Sequence, residues 1–228
     1  MSIIDNLAAV RRRIDDAARA AGRDPADVRL LAVSKTRPVE AIETAMEAGQ
    51  VQFGENRAQE LRDKSRALAG RDIQWHFIGG LQKNKVKYVV GSATLVHSVD
   101  SLALAEALSA RCLRAGVAPI GVLLQVNLSG EASKGGTTRA AALELARSIH
   151  ALPGVDLRGL MTMPPFSLQP EEAAPWFAGL AALAAEGQAE GLPLTELSMG
   201  MSGDLEVAVA HGATIVRVGT AIFGRRTT

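Results

Sequence analysis

A chain of 228 residues, 47% of them apolar, can bury a large core and comes close to the roughly 250 residues of a single α/β barrel. Its 25 basic and 24 acidic residues leave a net charge of +1, which excludes the global field expected of a nucleic-acid or anionic-membrane binder. Cys112, the one cysteine, excludes an internal disulfide and a cysteine-built metal cage, and it fits a reducing, cytoplasmic setting. Residues 2–21 do not read as a targeting segment, because Arg11, Arg12, Arg13, Asp15 and Asp16 interrupt them. No run approaches the roughly 20 apolar residues of a membrane span.

Ser2 is placed to cap a helix whose apolar stripe, Ile3, Leu7, Val10, Ile14 and Ala17, ends at Gly22. Next, Leu30-Leu31-Ala32-Val33 reads as a strand buried on both faces. Lys35 follows at a strand-to-helix junction, with Pro38 suited to the first turn of the next helix. From there strand and helix alternate. Strands start at Leu30, Val51, Ile73, Ala93, Pro119, Val155, Leu194 and Thr214, and helical stretches fall near 38–48, 56–69, 101–115, 137–150, 171–190 and 204–210. The Gly130–Gly136 piece reads as a loop after the fifth strand. Eight strand–helix units predict a (β/α)8 TIM barrel with an extra N-terminal helix, one domain over residues 1–228. A doubly wound open sheet is the alternative, since a sequence pattern does not show whether a sheet closes.

Two stretches sit at the expected ends of the last two strands: Ser198-Met199-Gly200-Met201-Ser202-Gly203-Asp204 and Arg217-Val218-Gly219-Thr220. Barrels commonly hold phosphate there, on backbone N–H groups that glycine lets approach closely, and Ser202 and Thr220 add hydroxyl donors. The structural alternative is that the glycines only serve tight turns and Ser202 only caps the helix at 204–210. Asp204 argues against an anion unless it points away. Lys35 reads either as a lysine reaching solvent or as an amine that condenses with a carbonyl to form an imine, a Schiff base. The imine reading needs an unprotonated amine, which desolvation or a neighbouring cation such as Arg217 favours.

Lys83, Lys85 and Lys87 beside Tyr88 form too short a run for a nucleic-acid surface and read as a solvated helix face. His76, His97, His150 and His211 are too scattered to assign a metal. The methionines of Met161-Thr162-Met163-Pro164-Pro165 read as packing in the core or against a ligand.

The stretches Ala32-Val33-Ser34-Lys35-Thr36, Phe53-Gly54-Glu55-Asn56-Arg57-Ala58-Gln59-Glu60, Trp75-His76-Phe77-Ile78-Gly79, Leu81-Gln82-Lys83-Asn84-Lys85, His97-Ser98-Val99-Asp100, Leu197-Ser198-Met199-Gly200-Met201-Ser202 and Arg217-Val218-Gly219-Thr220-Ala221-Ile222-Phe223-Gly224 resemble the pyridoxal phosphate homeostasis proteins, the PROSC family. The resemblance runs from residue 32 to 224. It implies a barrel similar to the alanine racemase N-terminal domain, with pyridoxal 5′-phosphate held as an imine on Lys35. It implies further that Ser202, Gly219 and Thr220 hold the phosphate, that Arg217 faces the pyridine nitrogen, and that Asn56 lies near the ring. An arginine at that nitrogen disfavours its protonation and so weakens the ring as an electron sink.

Alanine racemase takes a second catalytic base, a tyrosine, from its partner subunit, and the only tyrosine here is Tyr88. The expectation is therefore a cytoplasmic, monomeric protein of vitamin B6 and amino-acid homeostasis with no catalytic residues. Its expected partners are the small-molecule cofactor and PLP-dependent enzymes. The alternatives are a PLP-dependent amino-acid racemase and an imine-forming aldolase of a phosphorylated sugar, the latter disfavoured by the extent of the motif match.

Overall fold

In the computed structural model, which describes residues 2–131, 135–165 and 167–224, the strands close on themselves. They are β1 (Arg29–Val33), β2 (Gln52–Glu55), β3 (Gln74–Phe77), β4 (Leu95–Val99), β5 (Ile120–Asn127), the two-residue β6 (Thr137–Thr138), β7 (Val155–Met161), β8 (Glu196–Ser198) and β9 (Ile215–Val218). All pairings are parallel, and β6 only extends the end of β5, through Val126↔Thr137. The other eight form the ring β1-β2-β3-β4-β5-β7-β8-β9, which β9 closes onto β1 through Leu30↔Val216 and Leu31↔Arg217. The β4–β5 pairing, Val96↔Val122, joins the two halves and rules out the doubly wound alternative. The Gly130–Gly136 loop lies between β5 and β6, with residues 132–134 outside the described set.

The strands differ from the sequence expectation mainly at their ends. β2 runs on to Glu55 and β4 to Val99, past polar residues that would ordinarily mark the exit from a core. Glu55, His97 and Ser98 are nonetheless buried, and each has a hydrogen-bond partner. β8 begins at Glu196 because Leu194 packs toward the helix layer instead.

The helices are α1 (Ile3–Ala20), α2 (Val39–Glu47), α3 (Ala58–Ala67), α4 (Val86–Val89), α5 (Leu102–Ala115), α6 (Arg139–His150), α7 (Ala174–Ala189), α8 (Leu205–Ala210) and α9 (Thr220–Phe223). Ser2 caps α1 in a reciprocal capping box: its Oγ accepts the Asp5 N–H and its own N–H donates to Asp5 Oδ2, both at 3.1 Å. The buried stripe of α1 is Leu7, Val10, Ile14 and Ala18, so Ala18 rather than Ala17 takes the last buried place. Pro38 stands just outside α2, as its cap, with extended backbone. The stretch expected as helix from residue 171 opens with a 3-10 turn at Pro170–Ala173. Among the described residues no helix is long and apolar enough to cross a membrane.

Two apolar layers result. The larger fills the space between barrel and helices, with Phe53, Phe77, Leu61, Leu108 and Phe177 each no more than 1% exposed. The smaller lies inside the ring, where Leu31, Leu95, Leu123, Met161 and Ile215 meet from five strands.

Candidate functional site

β1 ends in the turn that carries Lys35. The Ser34 N–H donates to Gly54 O and the Arg37 N–H to Ser34 O, each at 3.0 Å, so Lys35 and Thr36 become the central residues of a tight turn. Thr36 has φ 63°, in the left-handed region that favours glycine. Lys35 and Val33 line a cavity of about 510 Å³ at the C-terminal ends of the strands.

The same cavity is lined by Asn56, Ser202, Arg217, Gly219 and Thr220, so all the residues singled out from the sequence meet there. They come from the ends of β1, β2 and β9 and from the loop after β8, the face where barrels place their ligand sites. Glycines permit two close approaches. A Cβ on Gly79 would stand 2.0 Å from Asn56 O, and one on Gly219 would stand 3.2 Å from Val33 O. Asn56 thus sits against backbone that only glycine can bring so near, and its buried Oδ1 has no hydrogen-bond partner among the described residues.

Ser202 Oγ accepts the Ala221 N–H at 3.4 Å, tying the loop after β8 to the start of α9, and does not cap α8. Asp204 turns one carboxylate oxygen to its own loop, where Oδ1 accepts the Met201 N–H at 2.6 Å. Met163 also lines the cavity, while Met161 belongs to the apolar layer inside the ring.

Arg217 reaches the cavity from within the barrel. Its side chain is 4% exposed, with Nη1 donating to Ser198 Oγ at 2.7 Å and Nη2 to Thr162 O at 3.0 Å. Burial pulls its pKa down to about 10, against the opposing pull of Asp204, so it is charged at neutral pH. Behind it runs a polar chain: His97 Nδ1 lies 2.8 Å from Ser198 Oγ, and His97 Nε2 lies 2.9 Å from His76 Nδ1. Burial, with the cations of Arg29 and Arg158, holds His76 down at about 3. Burial likewise holds His97 well below its ordinary value, with His76 and Arg217 adding to the effect. Two neutral imidazoles satisfy the chain when Ser198 donates to His97 Nδ1 and His97 Nε2–H donates to His76 Nδ1. Sequence reading treats these histidines as scattered, because β3, β4 and β8 bring them together only on closure.

A larger open groove, about 680 Å³, is lined by Arg62, Arg66, Arg71, Lys87, Arg111 and Tyr88, among others. Its walls are helix flanks and segments leading into β3 and β4, the end of a barrel that carries stability rather than ligands. Lys83 and Lys87 are exposed, as a solvated face requires, and Lys85, Lys87 and Arg62 also surround Tyr88 at 5.7, 5.1 and 4.8 Å from its ring centre.

The smaller cavity therefore joins two cationic side chains, an unpartnered amide oxygen and hydroxyl-bearing, glycine-opened loops. That donor set fits a compact ligand with a phosphate at one end and a polar ring at the other. Comparison with known proteins agrees in kind. The family described as the alanine racemase N-terminal domain matches residues 6–227. A pyridoxal phosphate homeostasis protein of Pseudomonas aeruginosa is 47% identical over 99% of this chain and 96% of its own. Its counterpart in Aquifex aeolicus is 44% identical over 99% of both chains. PipY of Synechococcus elongatus, solved with PLP bound, superposes with a TM-score of 0.86 at 41% identity, covering 98% of this chain and 100% of PipY. Alanine racemase of Clostridium difficile, 14% identical with a TM-score of 0.76, shares the fold over 98% of this chain and 58% of its own. On the family match and on these relatives, the chain belongs to the pyridoxal phosphate homeostasis protein family, built on the alanine racemase N-terminal domain.

Proposed function

We propose that this chain is one barrel domain that binds pyridoxal 5′-phosphate and serves vitamin B6 and amino-acid homeostasis without catalytic turnover of its own. The observation that carries the reading is the meeting of Lys35, Arg217 and the Ser202 and Gly219–Thr220 loops around one cavity, in a chain whose relatives are named for pyridoxal phosphate. Lys35 is the residue that attaches the cofactor. Ser202, Gly219 and Thr220 take the phosphate, Arg217 faces the ring nitrogen, and the Asn56 oxygen is satisfied beside the ring. When bound, pyridoxal phosphate supplies an electron sink for chemistry at an amino-acid α-carbon.

This chain's own residues restrain that chemistry. The Arg217 guanidinium is held in place by Ser198 and Thr162 and keeps a fixed positive charge where a proton on the ring would otherwise sit. A racemase also needs a second base on the opposite face. The single tyrosine, Tyr88, stands among cations in the other groove, and a second copy of the chain brings no other tyrosine. Its partners in this reading are the cofactor itself and the cytoplasmic PLP-dependent enzymes that use it, with the chain acting as a monomer.

The test is chemical. Purified protein loaded with pyridoxal phosphate is yellow, and borohydride reduction followed by peptide mapping places the pyridoxyl group on Lys35. Finding it on Lys83, or on Lys134, which lies outside the described residues, overturns the assignment. D- or L-alanine added to the loaded protein keeps its optical rotation; sustained racemisation would make it an enzyme.

A further inference from the structure

Beneath the Lys35 turn lies a buried cation that the binding reading leaves unused. Lys64, on α3, is 7% exposed and donates to three oxygens: Ser34 O at 2.9 Å, Glu55 Oε1 at 2.8 Å and Glu60 Oε1 at 2.7 Å. The residues on both sides of Lys35 are tied to this cluster. Ser34 Oγ donates to Glu55 Oε1 at 2.7 Å, and the Thr36 N–H donates to Glu60 Oε1 at 2.6 Å.

Such a cluster is a poor device for stability. Desolvating one ammonium and two carboxylates offsets most of their attraction. Burial raises the Glu55 carboxyl pKa even with Lys64 alongside, and Glu55 Oε2 is a buried oxygen without a partner among the described residues. Geometry is what the cluster does supply. Thr36 holds φ 63° without being glycine, a conformation that persists only where its surroundings over-determine it. Ser34 O, the acceptor that closes the turn, is gripped from below by Lys64, and the Thr36 amide is gripped by Glu60.

We propose that Lys64 is a positioning residue for Lys35: acting through Ser34 O, Glu55 and Glu60, it locks the Ser34–Arg37 turn in the shape that presents Lys35 to the cavity. The inference rests on Lys35 being the attachment residue. It adds that reactivity there depends on a cation which never touches the ligand.

Two variants test it, Lys64→Met and Glu60→Ala. Each is assayed for the rate of covalent capture of pyridoxal phosphate, by visible absorbance and borohydride trapping at Lys35. Each is also assayed for equilibrium binding of pyridoxine 5′-phosphate, which carries the phosphate but no aldehyde. Capture slows roughly 10- to 100-fold, because a misplaced amine loses its attack geometry. Binding of pyridoxine 5′-phosphate stays within about twofold, since the loops after β8 and β9 are untouched. Should Lys64→Met fail to fold with Glu55 left unpaired, Glu60→Ala, at a side chain 20% exposed, decides the matter alone. An unchanged capture rate in a folded variant overturns the proposal, and so does an equal loss for both ligands, which would report collapse of the whole site. Wild-type protein that forms no adduct on Lys35 overturns the binding reading instead.

Discussion

Ser198 Oγ is the atom on which the buried end of the site turns, since it meets both the Arg217 guanidinium and the His97 imidazole. Arginine can only donate, so it fixes the direction of the chain, and Thr162 O takes a second N–H to set the plane of the guanidinium. Arg217→Glu reverses the charge at a point where the fold has fixed it. Two hydrogen bonds are lost and a carboxylate is buried, for a stability cost of about 2–4 kcal/mol. In the protein that still folds and still loads on Lys35, the cofactor's absorption shifts and slow transamination with amino acids rises, because a carboxylate favours a protonated ring nitrogen. An unchanged spectrum and unchanged reactivity in that variant would mean that Arg217 does not contact the ring.

Among the elements, α1 does more than cover one side of the barrel. It packs against α2, α8 and α9, and its polar residues reach the loops proposed to take the phosphate. Arg13 Nη2 donates to Ser202 O at 3.1 Å while its Nε pairs with Glu206 at 2.6 Å, and Asn6 Nδ2 donates to Ile222 O at 2.9 Å. The helix preceding the first strand thereby buttresses loops almost 200 residues further along the chain. Arg13→Ala removes a half-exposed contact, so the fold loses little, about 0.5–1 kcal/mol. The affinity for pyridoxal phosphate falls roughly fivefold by titration, whereas phosphate-free pyridoxal is unaffected. Equal losses for the two ligands would separate α1 from the phosphate loops.

For the whole molecule, closing the barrel sequesters two histidines that the unfolded chain exposes to protons. The unfolded chain takes up protons on them below about pH 6.5, while in the folded state His76 resists down to about 3 and His97 lies well below its ordinary value. Stability is therefore fully present above pH 6.5 and is lost as the pH falls, at up to about 1.4 kcal/mol per pH unit for each histidine. Denaturant unfolding at pH 7 and pH 5.5 registers a loss of about 2 kcal/mol, and His97→Gln reduces the slope. A flat profile between those values would mean that the pair is not held neutral in the core.

Much of this was legible in order along the chain. The apolar run from Leu30 to Val33, the strand pattern from Val155 to Met161, the Ser2 cap and the Gly-rich turns near Gly200 and Gly219 each act over a few residues, so the strand–helix alternation and the barrel's strand count could be read directly. Lys35, Ser202 and Arg217, each singled out by its local stretch, line one cavity. Closure was not legible, because the β9–β1 pairing joins the two ends of the chain, as in Leu30↔Val216, and local periodicity says nothing of it. The polar ends of β2 and β4 were not legible for the same reason: a carboxylate or an imidazole reads as an exit from the core until its partner, Lys64 or Ser198, arrives from another element. Local patterning thus determined which segments are strands and helices and which loops bear donors. Only the tertiary structure decided which polar residues are buried, which pair, and that Lys35 stands on a turn clamped by Lys64, because burial and pairing are properties of the closed ring.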